Sequence, residues 1–473
     1  MFESSANGFN QKGSALFADP VHQYIPFVIP LKEGEKTEKD LIDSPYMQRL
    51  RHICQLQSAR WVYPSAEHSR FQHSLGVMHI AGKFARKLYP SLRNVIKGGC
   101  PSQPFIEEIL RVTALLHDIG HGPWGHFFDD NFLNKFGITH EDIGQQIVIR
   151  KLGDIIRKIR RGPSGEFRTD EEINPAHIAF LIKKDEEGKE KDIPQWLKML
   201  APLFNGIYTV DNLDYVLRDS YMCGVAIGPV DLERLLHYSY FSRDGLTLHR
   251  NGTSALTMFL NSRLYLFSNV YYHRTTRAID LHLKEIFSDT MKFIFSKNPL
   301  EDLDNYLRLT DWSLLEEVST WNRSKGKKKK VLGEEWNKIS NRHVKWKMAY
   351  EGVVSIKEME VGKTVIKEED WKSRIAKYLP SSIKNLAFQV DMASQDPRPE
   401  NPVKMGQMQV HIFDPATNEV SKGHLKRLFE YIPSKVFLYR VFALDHKYDK
   451  ELSEAAEKAL WSEGQSEQIK TNI

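Results

Sequence analysis

The apolar run from Ile106 to Leu116 ends abruptly in His117-Asp118-Ile119-Gly120-His121-Gly122-Pro123. A helix that buries Leu115 and Leu116 must therefore stop at an imidazole beside a carboxylate, with glycines and a proline breaking the regular backbone behind them. Leaving such groups unpaired against a core is costly, so a metal ion or a hydrogen-bond network has to satisfy them. His117 and Asp118 can both reach one ion where the helix unravels, but that ion needs further ligands from elsewhere in the chain.

Two distant segments offer them. Arg70-Phe71-Gln72-His73-Ser74-Leu75-Gly76 sets a histidine at the start of an apolar helix predicted over about Ser69 to Leu88, where it also fits a cap or a packed ring. Asp211, Tyr215 and Asp219 recur at i, i+4 and i+8 and so share one helical face. Two carboxylates and a phenol are poor core material and suit a metal and a sugar. His73, His117, Asp118 and Asp211 together form a mixed nitrogen and oxygen set for a divalent cation, Mn, Fe, Zn, Ni, Co or Mg.

The remaining sequence bounds the setting. A chain of 473 residues implies two or three packed regions, and 41% hydrophobic residues fit a globular protein. A net charge of +5 suits small polyanions without demanding nucleic acid. Cys54, Cys100 and Cys223 form no CxxC pair and read as reduced thiols. The N-terminus has no signal-peptide pattern, and no apolar run reaches the ~20 residues of a membrane span, so a cytoplasmic location is expected. Ala18 to Pro30 predicts a short strand or hairpin, Glu38 to Ile53 a helical pattern, and Leu203 to Leu236 and Leu256 to Phe295 further helices. Lys183 to Asp192 and Ser324 to Lys330 are expected to be loops, the lysine run Lys325 to Lys330 being solvated or polyanion-binding. Beyond Trp346, Met408 to Ile412 and Val436 to Phe442 have strand character, with a turn over Asp414 to Asn418 between helix-like pieces. The expected fold is mainly α, a helical body over residues 1–300 followed by a smaller α+β region over 301–473 with an oligomerisation or regulatory role.

His73, His117-Asp118 and Asp211 resemble the H…HD…D signature of the HD superfamily of metal phosphohydrolases. Asp19-Pro20-Val21-His22, Ile42-Asp43-Ser44-Pro45, Gln48-Arg49-Leu50-Arg51, Tyr63-Pro64, His68 to Val77 and His117 to His126 are similar to its deoxynucleoside triphosphate triphosphohydrolase branch, over about residues 1 to 290 and without a SAM domain. The resemblance implies hydrolysis of a deoxynucleoside triphosphate to deoxynucleoside and triphosphate. It implies catalytic roles for His121, His126, Asp129 and His140, with His126 protonating the leaving oxygen. It implies phosphate contact by Arg70, deoxyribose contact by Gln55, Tyr215 and Asp219, and crowding of the 2′ position by Leu56. Asp43, Gln48 and Arg51 match a guanine-reading site for GTP or dGTP, although two partner positions of that site are Ala15 and Ala18 here. A homo-oligomer, dimer or tetramer, follows from the same resemblance. Positions where relatives hold cations for the distal phosphates align with Asn212 and Asn269, which leaves smaller or unusual nucleotides open. The alternatives are an HD phosphodiesterase or nucleotidase, and a nucleic-acid-binding regulatory protein with a vestigial HD site.

Overall fold

A computed structural model describes residues 13–183, 193–228, 230–356, 366–395, 411–421 and 435–461. The architecture is mainly α, a helical body with a smaller α+β region near the C-terminus. The chain opens with an antiparallel hairpin, Ser14–Asp19 against Gln23–Val28. The pattern from Glu38 resolves into the short helices Glu38–Ile42 and Pro45–Gln48 and a single 3-10 turn, because Ser44 and Pro45 interrupt it.

Two long helices make the spine. Arg70–Ile96 starts at a Ser69–Gln72 capping box and packs along Gln103–Leu116, which is buried on almost every side and so reads as a continuous apolar run. The helix Val210–Cys223 crosses this pair, Thr253–Leu266 and Arg274–Ile294 lie beyond it, and a π-helical segment, Phe267–Tyr271, follows the first of these two. One hydrophobic core runs from Ile25 to Ile339 and includes Leu303, Tyr306, Leu314, Trp321 and Trp336.

A second core surrounds a three-stranded antiparallel sheet in which Lys435–Ala443 lies between Lys347–Ile356 and Phe388–Gln395. Helices Glu368–Tyr378 and Asp449–Trp461 cover this sheet. The C-terminal region also returns to the body: strand His411–Asp414 pairs in parallel with Gly245–His249, and Ile412 joins the first core.

Two local expectations change. Lys327 to Lys330 open a helix, Lys327–Ser340, instead of lying in a loop, because Leu332, Trp336 and Ile339 supply a buried stripe at helical spacing. The turn after Asp414 joins two strands, His411–Asp414 and Glu419–Ser421, not helical pieces. Residues 184–192 of the charged stretch and 408–410 of the predicted strand lie outside the described residues. No helix among the described residues is long and apolar enough to cross a membrane.

Candidate active site

The chemistry-bearing histidines sit at helix ends, where the backbone stops consuming the space around them. His73 lies in the first turn of Arg70–Ile96, and His117 is the residue at which Gln103–Leu116 stops. His126 and His140 are the first residues of His126–Asn131 and His140–Arg150. The turn into His126 is made by Trp124 and Gly125, with φ of +61° and +50°. Holding a buried tryptophan in left-handed backbone is strained, and Asp311 accepts a hydrogen bond from its N–H at 2.8 Å.

Three of the four predicted ligands, His73, His117 and Asp211, bring ligand atoms within 4.8 Å of one another. His73 Nε2 lies 2.9 Å from Asp211 Oδ1, and His117 Nε2 lies 3.7 Å from the same oxygen. Asp118 completes the set, its carboxylate 3.3 Å from His117 Nε2 and 4.0 Å from His73 Nε2. Both imidazoles use Nδ1 elsewhere: His73 donates to Asp214 at 2.8 Å, and His117 donates to the Ala114 carbonyl at 2.8 Å. Each Nε2 is thereby left to face the centre, and that of His117 is buried without a hydrogen-bond partner. This is how metal-binding histidines are oriented.

The electrostatics agree. Burial works against a proton on His73, yet hydrogen bonds to Asp211 and Asp214 outweigh it and lift the ring's pKa to about 10. Burial likewise opposes ionisation of Asp211, but the imidazoles of His117 and His73 beside it hold its carboxyl below the usual range. So much negative charge around two imidazoles suits a divalent cation, and the donor set fits one. Arg70 supplies the fixed positive charge, its Nη1 donating to Asp118 Oδ2 at 2.6 Å.

Beside this centre, His140 Nδ1 donates to Asp129 Oδ2 at 2.5 Å, and His126 Nδ1 lies 3.5 Å from the same oxygen. Burial resists these charges, but the two histidines hold the Asp129 carboxyl far below its normal range, and Asp129 raises the pKa of His140. His121 stacks on His140 with ring centroids 3.6 Å apart, and burial together with Arg70 pushes its pKa well down.

A cavity of about 550 Å³ opens over both groups, lined by Gln55, Leu56, Arg70, His126, Tyr215 and Asp219 among others. Asp219 accepts from Tyr271 at 2.5 Å and pairs with His68 Nε2 at 2.8 Å. Asp43, Gln48 and Arg51 lie apart from the cavity at the surface, where Arg51 donates to Gln48 at 2.7 Å and stacks over Phe71.

The two positions aligned with distal-phosphate cations have different surroundings. Asn212 lines the cavity, whereas Asn269 is exposed and bonds to the Tyr265 carbonyl. Arg263 and Arg277 both line the cavity instead. Arg277 is committed to Asp391, but Arg263 donates through Nε to Tyr215 at 2.8 Å and keeps a buried Nη1 without a partner. Arg263 continues the buried stripe of Leu256, Phe259 and Leu260, and an arginine on such a stripe was the available signal. Also missed were Asp214, which orients His73, and His68, which holds Asp219.

Residues 70–190 match the HD domain model, and residues 230–411 match the HD associated region. The chain therefore carries an HD domain followed by an HD associated region. It is 28% identical over 322 residues to the uncharacterized protein YwfO of Bacillus subtilis, covering 65% of this chain and 66% of that protein. It is 27% identical over 322 residues to the deoxynucleoside triphosphate triphosphohydrolase SAMHD1 homolog of Dictyostelium discoideum, covering 67% of this chain and 57% of that one. The chain thus spans less than two thirds of the length of these curated relatives. A crystal structure of a hypothetical protein from Aquifex aeolicus shares the fold, with a TM-score of 0.65 at 24% identity over 94% of this chain and 100% of that one.

Proposed function

We propose that this protein hydrolyses deoxynucleoside triphosphates, with water attacking the α-phosphorus and releasing deoxynucleoside and intact triphosphate. The observation that carries the proposal is one cavity lined by Asp211, which stands beside His73 and His117 of the metal set, together with Arg70, Arg263, Tyr215 and Asp219. When bound there, a divalent cation polarises a phosphoryl oxygen and lowers the pKa of water.

The chain's own side chains divide the remaining work. Arg70 binds phosphate oxygens through the guanidinium face not used by Asp118, and Arg263 offers its unpaired Nη1 to the distal phosphates. His126, exposed to the cavity, delivers the proton to the leaving 5′-oxygen, while Asp129 and His140 orient it and hold the proton supply. Asp219 and Gln55 take the sugar hydroxyl, and the apolar wall of Leu56 leaves a 2′-hydroxyl without a partner.

A GTP or dGTP effector at Asp43, Gln48 and Arg51, and assembly into a dimer or tetramer, belong to the same proposal. What supports the effector is that Gln48 and Arg51 bond to each other outside the cavity, with Asp43 exposed and paired with Lys39.

The test is incubation of the full chain with Mn²⁺ and each deoxynucleoside triphosphate in turn, with and without GTP, followed by chromatography of the products. Triphosphate and deoxynucleoside in equal amounts are expected. Silence toward every one of them, with turnover of cyclic or monophosphate substrates, would replace the proposal with a phosphodiesterase or nucleotidase.

A further inference from the structure

Three side chains that line the cavity have no part in the hydrolysis proposed above. Ser58 belongs to the 3-10 turn Gln57–Trp61, while Thr276 and Asp280 stand one turn apart on Arg274–Ile294. Thr276 is 4% exposed, and its hydroxyl has no hydrogen-bond partner. Asp280 Oδ1 is buried beside the Ser58 hydroxyl without a well-formed bond to it. Burial outweighs the nearby Arg277 and raises the pKa of the Asp280 carboxyl, as expected where donors are short. Buried polar atoms left this way normally meet a partner that protein atoms do not supply.

This group is not built for phosphate. Arg277 beside it is held by Asp391, and Asp130 adds a second carboxylate to the same cavity. The guanidinium nitrogen without a partner is on Arg263 instead. A carboxylate oxygen with two hydroxyls offers acceptors, and an amino group, with two N–H donors, is their complement. The cavity of about 550 Å³ has room for a base as well as a sugar and phosphates. We propose that Ser58, Thr276 and Asp280 form the nucleobase subsite of this cavity and select bases that carry an exocyclic amino group. The assignment rests on the nucleotide reading proposed above and names the ligand class within it. A base with a carbonyl at that point, as thymine has, sets an acceptor against Asp280. Leaving buried polar groups unpaired is what makes such discrimination strong.

The experiment uses metal-free full-length protein, so that no turnover intervenes, and isothermal titration calorimetry. The ligands are dATP, dGTP and dCTP, each compared with the analogue that lacks only the amino group (for dGTP this is dITP). At least one amino-bearing triphosphate should bind about fivefold or more tightly than its partner, and Thr276→Val and Asp280→Ala should each cut that ratio about threefold or more. If one variant fails to fold, the other decides. A ratio below about fivefold in all three pairs, or one that no folded variant lowers, overturns the proposal, since a purely structural role weakens both members of a pair alike. If no triphosphate binds at all, the subsite and the hydrolytic reading fall together. If the amino preference holds but added Mn²⁺ elicits no turnover, the hydrolytic reading falls and the subsite stands.

Discussion

Asp214 Oδ2 accepts from His73 Nδ1 at 2.8 Å, so the ring's other nitrogen is delivered to Asp211. Asp214 is itself fixed from two sides, by His22 at 2.6 Å and by Arg218 through bonds of 2.8 and 3.0 Å. Arg218 continues to Asp19 at 2.7 Å, which ties the N-terminal hairpin to the metal centre. Asp214→Asn should therefore cost about 10–100-fold in cation affinity, since it loosens the orientation and basicity of His73. Competition against a chromophoric chelator measures this. Unchanged affinity would remove Asp214 from the role.

The crossing of the two helices at this point leaves no room for a side chain. A Cβ on Gly76 would sit 1.9 Å from Asp214 Oδ1 and 2.4 Å from Arg218 Nη2. Alanine is the better helix former, so Gly76→Ala tests packing against propensity. Packing should win, with a loss of about 1–3 kcal/mol in urea unfolding. A stabilised variant would mean that the helices separate without penalty.

Arg263 allows the phosphate reading to be separated from the rest of the site. Arg263→Met should raise the KM for a deoxynucleoside triphosphate at least tenfold, and leave the affinity for the corresponding monophosphate nearly unchanged. Steady-state kinetics and a binding isotherm together decide it. Equal losses for both ligands would point to a structural role through Tyr215.

Acid sensitivity has an identifiable contributor outside the metal ligands. His79 faces His22 at a ring distance of 5.2 Å, with Arg111, Lys83 and Arg86 nearby. Burial first, then His22 and after it these cations, push its pKa to about 3. The unfolded chain takes up a proton near pH 6.5 that the folded chain refuses, so this contribution is complete above pH 6.5 and is lost as pH falls toward 3. Its slope reaches at most about 1.4 kcal/mol per pH unit. Urea midpoints measured against pH should fall more gently for His79→Gln than for the unaltered protein over that window, and identical slopes would exclude His79.

The sequence makes the helical spine legible because its signals are local. An apolar run ending at His117-Asp118, and the i, i+4, i+8 carboxylates and phenol of 211–219, each declare a helix and a polar end within a few residues. The structure gathers His73, His117 and Asp211 within 4.8 Å of one another and sets Asp118 against the two histidines. What the sequence hides depends on distance along the chain. His22 and Asp214 meet across 192 residues, and His68 and Asp219 across 151, with no periodicity to announce either pair. The lysine run misleads for the opposite reason, since its charges dominate the local pattern while Leu332, Trp336 and Ile339, further on, decide that the segment is a helix.

One wall of the cavity comes from outside the helical body. Met392, Ala393 and Ser394 of strand Phe388–Gln395 line it, held there by Tyr272 on the Ser394 carbonyl at 2.9 Å and by Arg277 on Asp391 at 3.0 Å. That strand belongs to a sheet with its own core, so mutations there can reshape the rim without moving any residue of the metal centre. The outline of the cavity on this side is thus set by a part of the chain that contributes nothing to the metal set.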